Sequence, residues 1–437
     1  MLKRSIYILI VLSFVAFVPQ KGICQDLLTL GKALEIGLKN NFDIQIAKKN
    51  NQIAEMNNSW GNAGRYPTIN FLASGGISPV YQSDDHITNY SASSSVMMDW
   101  VLFDGFRVNI TKGKLQNLKS LSDGQEIVVI EVAIRKIISA WYLARITEEK
   151  AMVQKEMMEL SKDRYDQAKK LVELGSSTQY ELIQAQNAWL EDKGNYLNQR
   201  VSARNAKRNL CYVMGEEMNK TSWSISGELT ASDNHFVMSD LVDKMMRDNS
   251  NLKNQYISQK LNVDDVKLSK SKMFPTLSLS AGVTGKYSES DPESLMTPSG
   301  YTTTPSVSLK LSYNLFNGGN RKRAIRVAQI NKEISDLKID DMRISLSNQL
   351  GQYFDMYEVN KELLSLSQQQ VKASKLNLDI SKQKFRSGAI NSFNFRDVQV
   401  MYLNAVTSNL NALYKLQLSY VDLVTITGGI IAEYSSK

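Results

Sequence analysis

Few residues in this chain have the type and spacing that covalent chemistry needs. His86 and His235 are the only histidines, and they sit far apart in unrelated contexts. Cys24 and Cys211 are the only cysteines. A structural zinc site takes four nitrogen or sulfur ligands, with pairs close in sequence. These four residues offer no such pair. A disulfide framework would need more than one cysteine in the mature chain. Asp104-Gly105-Phe106 matches the letters of a kinase metal-binding tripeptide. No glycine-rich loop or catalytic-loop motif accompanies it, so it reads as a strand end turning into a helix. Thr178 and Glu181 have the spacing of a helix capping box, which is structural. No nucleophile motif, phosphate loop or metal cluster is left over, and the expectation is a protein that is not an enzyme and uses no cofactor.

Charge and composition narrow the class further. The 437 residues carry 52 Lys and Arg against 44 Asp and Glu, a formal charge of +8. The N-terminus reads as a secretory leader: Lys3 and Arg4, then an apolar run from Ile6 to Val18 that is too short to span a bilayer comfortably. Gly22-Ile23-Cys24 suits cleavage before Gln25. Gln20-Lys21-Gly22-Ile23 lacks the small residues that lipidation of Cys24 would need. Losing residues 1–24 takes away Lys3, Arg4 and Lys21, so +8 falls by three to +5. An exported chain of such modest charge is not expected to bind nucleic acid.

Proline placement marks the elements. None of the seven prolines lies between Pro79 and Pro275 or after Pro305. Both stretches are open to very long helices. The chain is also written twice. An offset of 208 carries Pro67-Thr68 onto Pro275-Thr276 and Asn41 onto Asn249. An offset of 213 carries Leu102-Phe103-Asp104-Gly105 onto Leu315-Phe316-Asn317-Gly318, Gly175 onto Gly388, and Gly215 onto Gly428. The expected organisation is a leader (1–24), a first repeat (25–215), a connector (216–240), a second repeat (241–428) and a tail (429–437). In the first repeat we expect a helix over 29–63, two strands near 67–103, a long helix over 110–173 and a helix over 176–215. In the second we expect a helix over 241–272, two strands near 275–316, a long helix over 320–386 and a helix over 390–428.

The strands alternate. Val307, Leu309, Leu311, Tyr313 and Leu315 interleave with Ser308, Lys310, Ser312 and Asn314 along a strand expected over 305–316. Each strand reads as about ten residues, the length of a tilted membrane strand. Tyrosines and Trp100 sit near the strand ends, and the loops Ser83-Asp84-Asp85-His86 and Glu289-Ser290-Asp291-Pro292-Glu293 are polar and acidic. On this reading Leu309, Leu311 and Tyr313 face lipid while Lys310, Ser312 and Asn314 face a wet lumen. Four strands cannot close a barrel, so the membrane reading demands an oligomer. A soluble sheet with one packed face is the alternative. The long helix over 110–173 would reach about 96 Å, and such helices need lateral partners, as in a coiled-coil assembly.

These features together resemble the TolC-like outer membrane efflux proteins over essentially the whole mature chain. The residues that carry the resemblance are Leu28-Thr29-Leu30-Gly31-Lys32-Ala33-Leu34, Asn40-Asn41, Arg65-Tyr66-Pro67, Leu315-Phe316-Asn317-Gly318-Gly319, Phe385-Arg386-Ser387-Gly388 and Asp397-Val398-Gln399. The resemblance implies a mostly α fold with a short transmembrane β-barrel, a long periplasmic α-helical coiled-coil barrel and two repeats, assembled as a homotrimer. It implies an outer-membrane exit duct that works with a periplasmic adaptor and an inner-membrane pump. It implies a constriction at the periplasmic end, six and nine residues beyond Gly388. Those positions hold Asn394, where the family's acid is missing, and Asp397, where it is kept. The first-repeat counterparts are Glu181 and Gln184. The turns at Gly175 and at Ser387-Gly388-Ala389 would form the distal tip, where an adaptor docks. A periplasmic adaptor or scaffold without a pore is the competing function.

Overall fold

The computed structural model describes residues 27–82, 85–217, 223–227, 229, 234–291 and 299–435. The expected leader and its cleavage site lie outside the described residues, as do parts of the connector and of both acidic loops.

The proline-free stretches form the long helices. Helix α3 spans Arg107–Glu173 and α7 spans Asn320–Arg386, each of 67 residues. At 1.5 Å per residue each is about 100 Å long. Each runs alongside a shorter antiparallel helix: α4 (Gln179–Met214) beside α3, and α8 (Ser392–Ile426) beside α7. The turns between them are left-handed glycine caps. Gly175 and Gly388 have φ of +72° and +74°. Ser176 N–H bonds back to the Leu171 carbonyl at 2.7 Å, and Ala389 N–H to that of Lys384 at 2.8 Å. This six-to-one closure uses up carbonyls that the helix end leaves unpaired.

The two helices expected over 29–63 and 241–272 are each broken. The first is α1 (Leu30–Asn40) and α2 (Phe42–Asn57). The second is α5 (Met238–Asp248) and α6 (Ser250–Ser271). The breaks fall at Asn41 and Asn249, for the same reason. The Asn41 side-chain oxygen accepts the Ile44 N–H at 3.1 Å, and its amide donates to the Val213 carbonyl at 2.8 Å. Asn249 caps Leu252 at 2.9 Å and donates to the Ile426 carbonyl at 2.8 Å. One amide thereby starts one helix and satisfies the end of another. Beside these junctions lie Gly215 and Gly428, where an added Cβ would fall 2.3 Å from the Asn40 carbonyl oxygen and 2.4 Å from that of Asp248. Only glycine lets the two backbones approach so closely.

The apolar core gathers around these junctions, with Ile137, Trp141, Leu210, Leu350, Tyr357 and Leu423 buried in it. Two short strands, β1 (Leu27–Leu28) and β4 (Ser224–Ile225), pair in parallel there. Trp141 Nε1 donates to the Leu28 carbonyl at 3.2 Å, which fixes the start of the described chain to α3. A short helix α9 (Ile430–Ser435) packs on α3 and α8.

The remaining strands form one antiparallel sheet in the order β2-β3-β5-β6: β2 is Thr68–Gln82, β3 Asp85–Phe103, β5 Thr276–Asp291 and β6 Gly300–Ser312. They are 15, 19, 16 and 13 residues long, longer than the expected ten. Apolar alternation is clearest at the end of each strand nearest the helices. Pairing continues into Ser- and Thr-rich ends, such as Thr302 to Thr304 opposite Thr284 to Lys286. Strand β6 ends at Ser312 rather than 316, because its partner β5 starts only at Thr276, just after Pro275. Tyr313 and Asn314 therefore lie beyond the strand, with Arg321 5.6 Å over the Tyr313 ring.

Candidate transport path and periplasmic tip

In an antiparallel pair, residues directly opposite one another share a face. One face of the sheet is apolar in continuous rows. Ile69, Met98, Ala281 and Val307 form one row, and Trp100, Leu279 and Leu309 the next. Leu311 pairs with Leu277 beyond them. Tyr90, Tyr287 and Tyr301 lie on this same face toward the far end of the strands. From Trp100 to Tyr90 is ten residues of β3, roughly 33 Å of strand. Tilted by about 40°, that spans about 25 Å, the height of a membrane barrel's apolar band.

The opposite face is mostly small and polar, with Asp99, Lys286 and Lys310 among its residues. Ser74, Ser93, Lys286 and Thr302 make one row, and Asp99, Ser280 and Ser308 another. Ser280 Oγ donates to Asp99 at 2.7 Å. Lys310, opposite Ser278, and Ser312, opposite Thr276, fall on this face. Leu309 and Leu311 fall on the apolar one, and all four are exposed in the single chain. Among the described residues, the edge strands β2 and β6 each have one side without a partner strand.

At the other end of the molecule, each tip turn leads straight into a capped helix. Thr178 Oγ1 accepts the Glu181 N–H at 3.3 Å, and Asn391 Oδ1 accepts the Asn394 N–H at 2.8 Å. The Glu181 carboxylate takes the Ser177 hydroxyl instead of the Thr178 N–H that a capping box would supply. Gln184 Nε2 reaches the Tyr180 hydroxyl at 3.3 Å. Asn394 and Asp397 are three residues apart, exposed on one side of α8. Phe395 points the other way, buried and stacked 5.0 Å from the Phe385 ring.

Sequence reasoning missed what stands beside Asp397. Arg396 grips Asp192 with both Nη atoms, at 2.6 and 2.9 Å. Asp192 also takes the Ser161 hydroxyl. Arg164 donates to the Ser392 carbonyl at 3.2 Å. Ser161, Arg164 and Asp192 are buried. Burial, together with the nearby charge of Arg396 and against the pull of Asp192, lowers the Arg164 guanidinium to about 10. It stays charged at neutral pH. The cluster ties α3 and α4 to the first turns of α8. Its members lie up to 235 residues apart, so no local pattern could have announced it.

Among the described residues, no group of three or more His, Cys, Asp or Glu is placed to hold a metal. No described helix is long and apolar enough to cross a membrane. A sheet with one apolar and one polar face, set on helices about 100 Å long, defines the class of envelope-spanning channel subunits. The sequence pattern of the outer membrane efflux protein family matches residues 33–216 and 241–429, and the chain belongs to that family. It is an outer-membrane exit duct with a large periplasmic helical part, and it is not an enzyme. Solved channel structures share the fold. The Campylobacter jejuni CmeC outer membrane channel superposes with a TM-score of 0.75 at 16% identity, over 92% of this chain and 85% of that one. CusC gives 0.74 at 15%, over 92% of each chain. The open state of the Neisseria gonorrhoeae MtrE channel gives 0.73 at 14%, over 92% and 89%. No curated protein matches the chain.

Proposed function

We propose that three copies of this chain close one continuous duct. The observation that carries this reading is the pair of open sheet edges. The four strands alternate in direction, so β6 of one copy would meet β2 of the next in antiparallel sense. Three chains of four strands make an even, all-antiparallel barrel of twelve, the closed form that leaves no backbone group unpaired in lipid. The apolar face turns outward to lipid with Leu309 and Leu311. The polar face lines the lumen with Lys310 and Ser312. Tyr313 and Asn314 sit at the inner rim.

The chain is built from two copies of one unit, residues 25–215 and 241–428, joined by the connector 216–240. Three pairs of units form the helical barrel below the membrane. The tip turns at Gly175 and at Ser387-Gly388-Ala389 dock a periplasmic adaptor, which couples the duct to an inner-membrane pump. Exposed Leu174, Tyr180 and Phe393 near those turns offer apolar contacts. Asp397, three times around the axis, lines the constriction, with Asn394 supplying neutral hydrogen bonds where a second acid would stand. Glu181 serves its helix cap, and Gln184 holds in the first unit the position that Asp397 holds in the second.

The test is direct. The chain is expressed with its leader, extracted from the outer-membrane fraction, weighed by native mass spectrometry and reconstituted in a planar bilayer. A conducting trimer is expected. A monomer, or recovery in the soluble periplasmic fraction, refutes the reading.

A further inference from the structure

The same two offsets, 208 and 213, that relate the halves in sequence also relate their structures. They carry α3 onto α7 at both ends, Arg107 to Asn320 and Glu173 to Arg386. They carry the Asn41 cap onto that of Asn249. Within each half the short helix lies along its own long helix, bonding it at positions that agree to within one turn under the 213 offset. Asn51 of α2 bonds Glu126 of α3 at 2.6 Å, and its counterpart Gln259 of α6 bonds Asp336 of α7. The free face of α2 is therefore the one that α6 turns toward α3 of the first half. The contact between α6 and α3 inside one chain is a template for a contact between α2 and α7 of a neighbouring copy.

Inside the chain that contact is polar. Asn117 donates to Asp264 at 2.7 Å, and the Ser250 hydroxyl to Glu131 at 2.8 Å. Lys114 pairs with Asp265. Gly124 lets the Asn254 amide lie where a Cβ would be, 1.8 Å from its oxygen. Transposing the three central pairs by the two offsets changes their chemistry completely. Asn117 and Asp264 become Ile330 and Met56. Gly124 and Asn254 become Leu337 and Ile46. Glu131 and Ser250 become Ile344 and Phe42. All six transposed side chains stand 40–78% exposed in the single chain. On α7 they recur every seven residues, and on α2 they fall at spacings of four and ten. Both are single stripes, as a helix seam requires.

We infer that the seam between subunits is this apolar stripe, with Phe42 against Ile344, Ile46 against Leu337 and Met56 against Ile330 of the adjoining copy. The inference rests on the trimer proposed above and adds its register. The two kinds of seam also exclude mispairing. If α3 of one copy met α2 of another, Glu131 would be buried against Phe42 without the Ser250 hydroxyl, and Lys114 would meet Asn57 in place of Asp265. A buried unpaired charge is strongly unfavourable. Like units therefore do not pair, and first and second halves alternate around the ring. Polar contacts mark the α3–α6 seam within a chain, and apolar burial, roughly proportional to area, joins chains along α2 and α7.

The test uses paired cysteines in a Cys211→Ala background, in chain exported with its own leader and extracted into detergent. A disulfide needs its Cβ atoms within about 4.5 Å, so it reports register sharply. Ile46→Cys with Leu337→Cys should oxidise to a covalent trimer on a non-reducing gel. Ile53→Cys with Leu337→Cys, displaced by about 10 Å along α2, should not. Native mass spectrometry of the reduced samples reads assembly independently. If they are trimeric but the 46–337 pair stays unlinked, or the 53–337 pair links as readily, the register is wrong and the trimer stands. If they are monomeric, the trimer reading falls and the seam with it.

Discussion

Replacing Asp192 with alanine removes a buried carboxylate that stands between two guanidinium groups near the tip, and leaves Arg396 the exposed Glu191 at 3.7 Å. The Asp192 side chain is 2% exposed, that of Arg396 is 20% exposed, and Arg164 as a residue is 4% exposed. Taking one partner from a buried pair costs about 3–5 kcal/mol, because the remaining charge is left uncompensated. Arg396 can swing toward water and Arg164 cannot, so the expected loss lies near the lower bound, about 3 kcal/mol. Arg396→Met should cost less, about 1–2 kcal/mol, since Asp192 keeps the Ser161 hydroxyl and the Arg164 charge. The double variant should cost less than the sum, with a coupling of about 1–3 kcal/mol. A membrane trimer does not unfold in two states, so a melting temperature is the wrong readout. Native-state hydrogen exchange of the amides at 395–400 reads local opening directly. A loss of about 3 kcal/mol raises their exchange about 150-fold. A rise below about fivefold, or strictly additive single and double variants, would show the pair to be energetically idle.

Three further outcomes follow from the same geometry. Val283→Arg should cost about 2–4 kcal/mol of barrel stability, because its row lies between those of Trp100 and Tyr90, and Ser312→Arg should alter conductance with little cost; a charged thiol reagent that labels cysteines at 309 and 312 equally would contradict this facing. Asp397→Asn should weaken cation preference in a salt gradient and Asn394→Asp should strengthen it; reversal potentials unchanged in both variants would place Asp397 on the outer surface. Burial raises the Glu131 carboxyl above its ordinary range, more than the Ser250 hydroxyl and Lys253 lower it. The stability linked to Glu131 is then full below the unfolded value of 4.5 and lost as pH rises through the folded value. Glu131→Gln should accordingly slow thermal inactivation at pH 7 and do little at pH 4, and faster inactivation at pH 7 would show that the Lys253 attraction dominates.

What could be read along the chain was whatever depends on neighbours a few residues away. The proline-free stretches announced α3 and α7, and their ends fell within three residues of the expected bounds. Gly175 and Gly388 announced the turns, because a left-handed cap is a local demand. Alternation around Leu309 announced a two-faced strand. Thr178 announced its cap. Asn41 and Asn249 could not be read as breaks, since asparagine within a helical pattern is nearly neutral until a carbonyl such as that of Val213 or Ile426 comes to meet it. Strand β6 ended where its partner ended, which its own residues do not record. The Arg396–Asp192 pair joins residues 204 apart. Periodicity and cap chemistry are properties of sequence because helices and turns close their bonds over a few residues. The break points, the strand ends and the buried charges belong to tertiary structure, because each depends on a partner that only folding brings within reach.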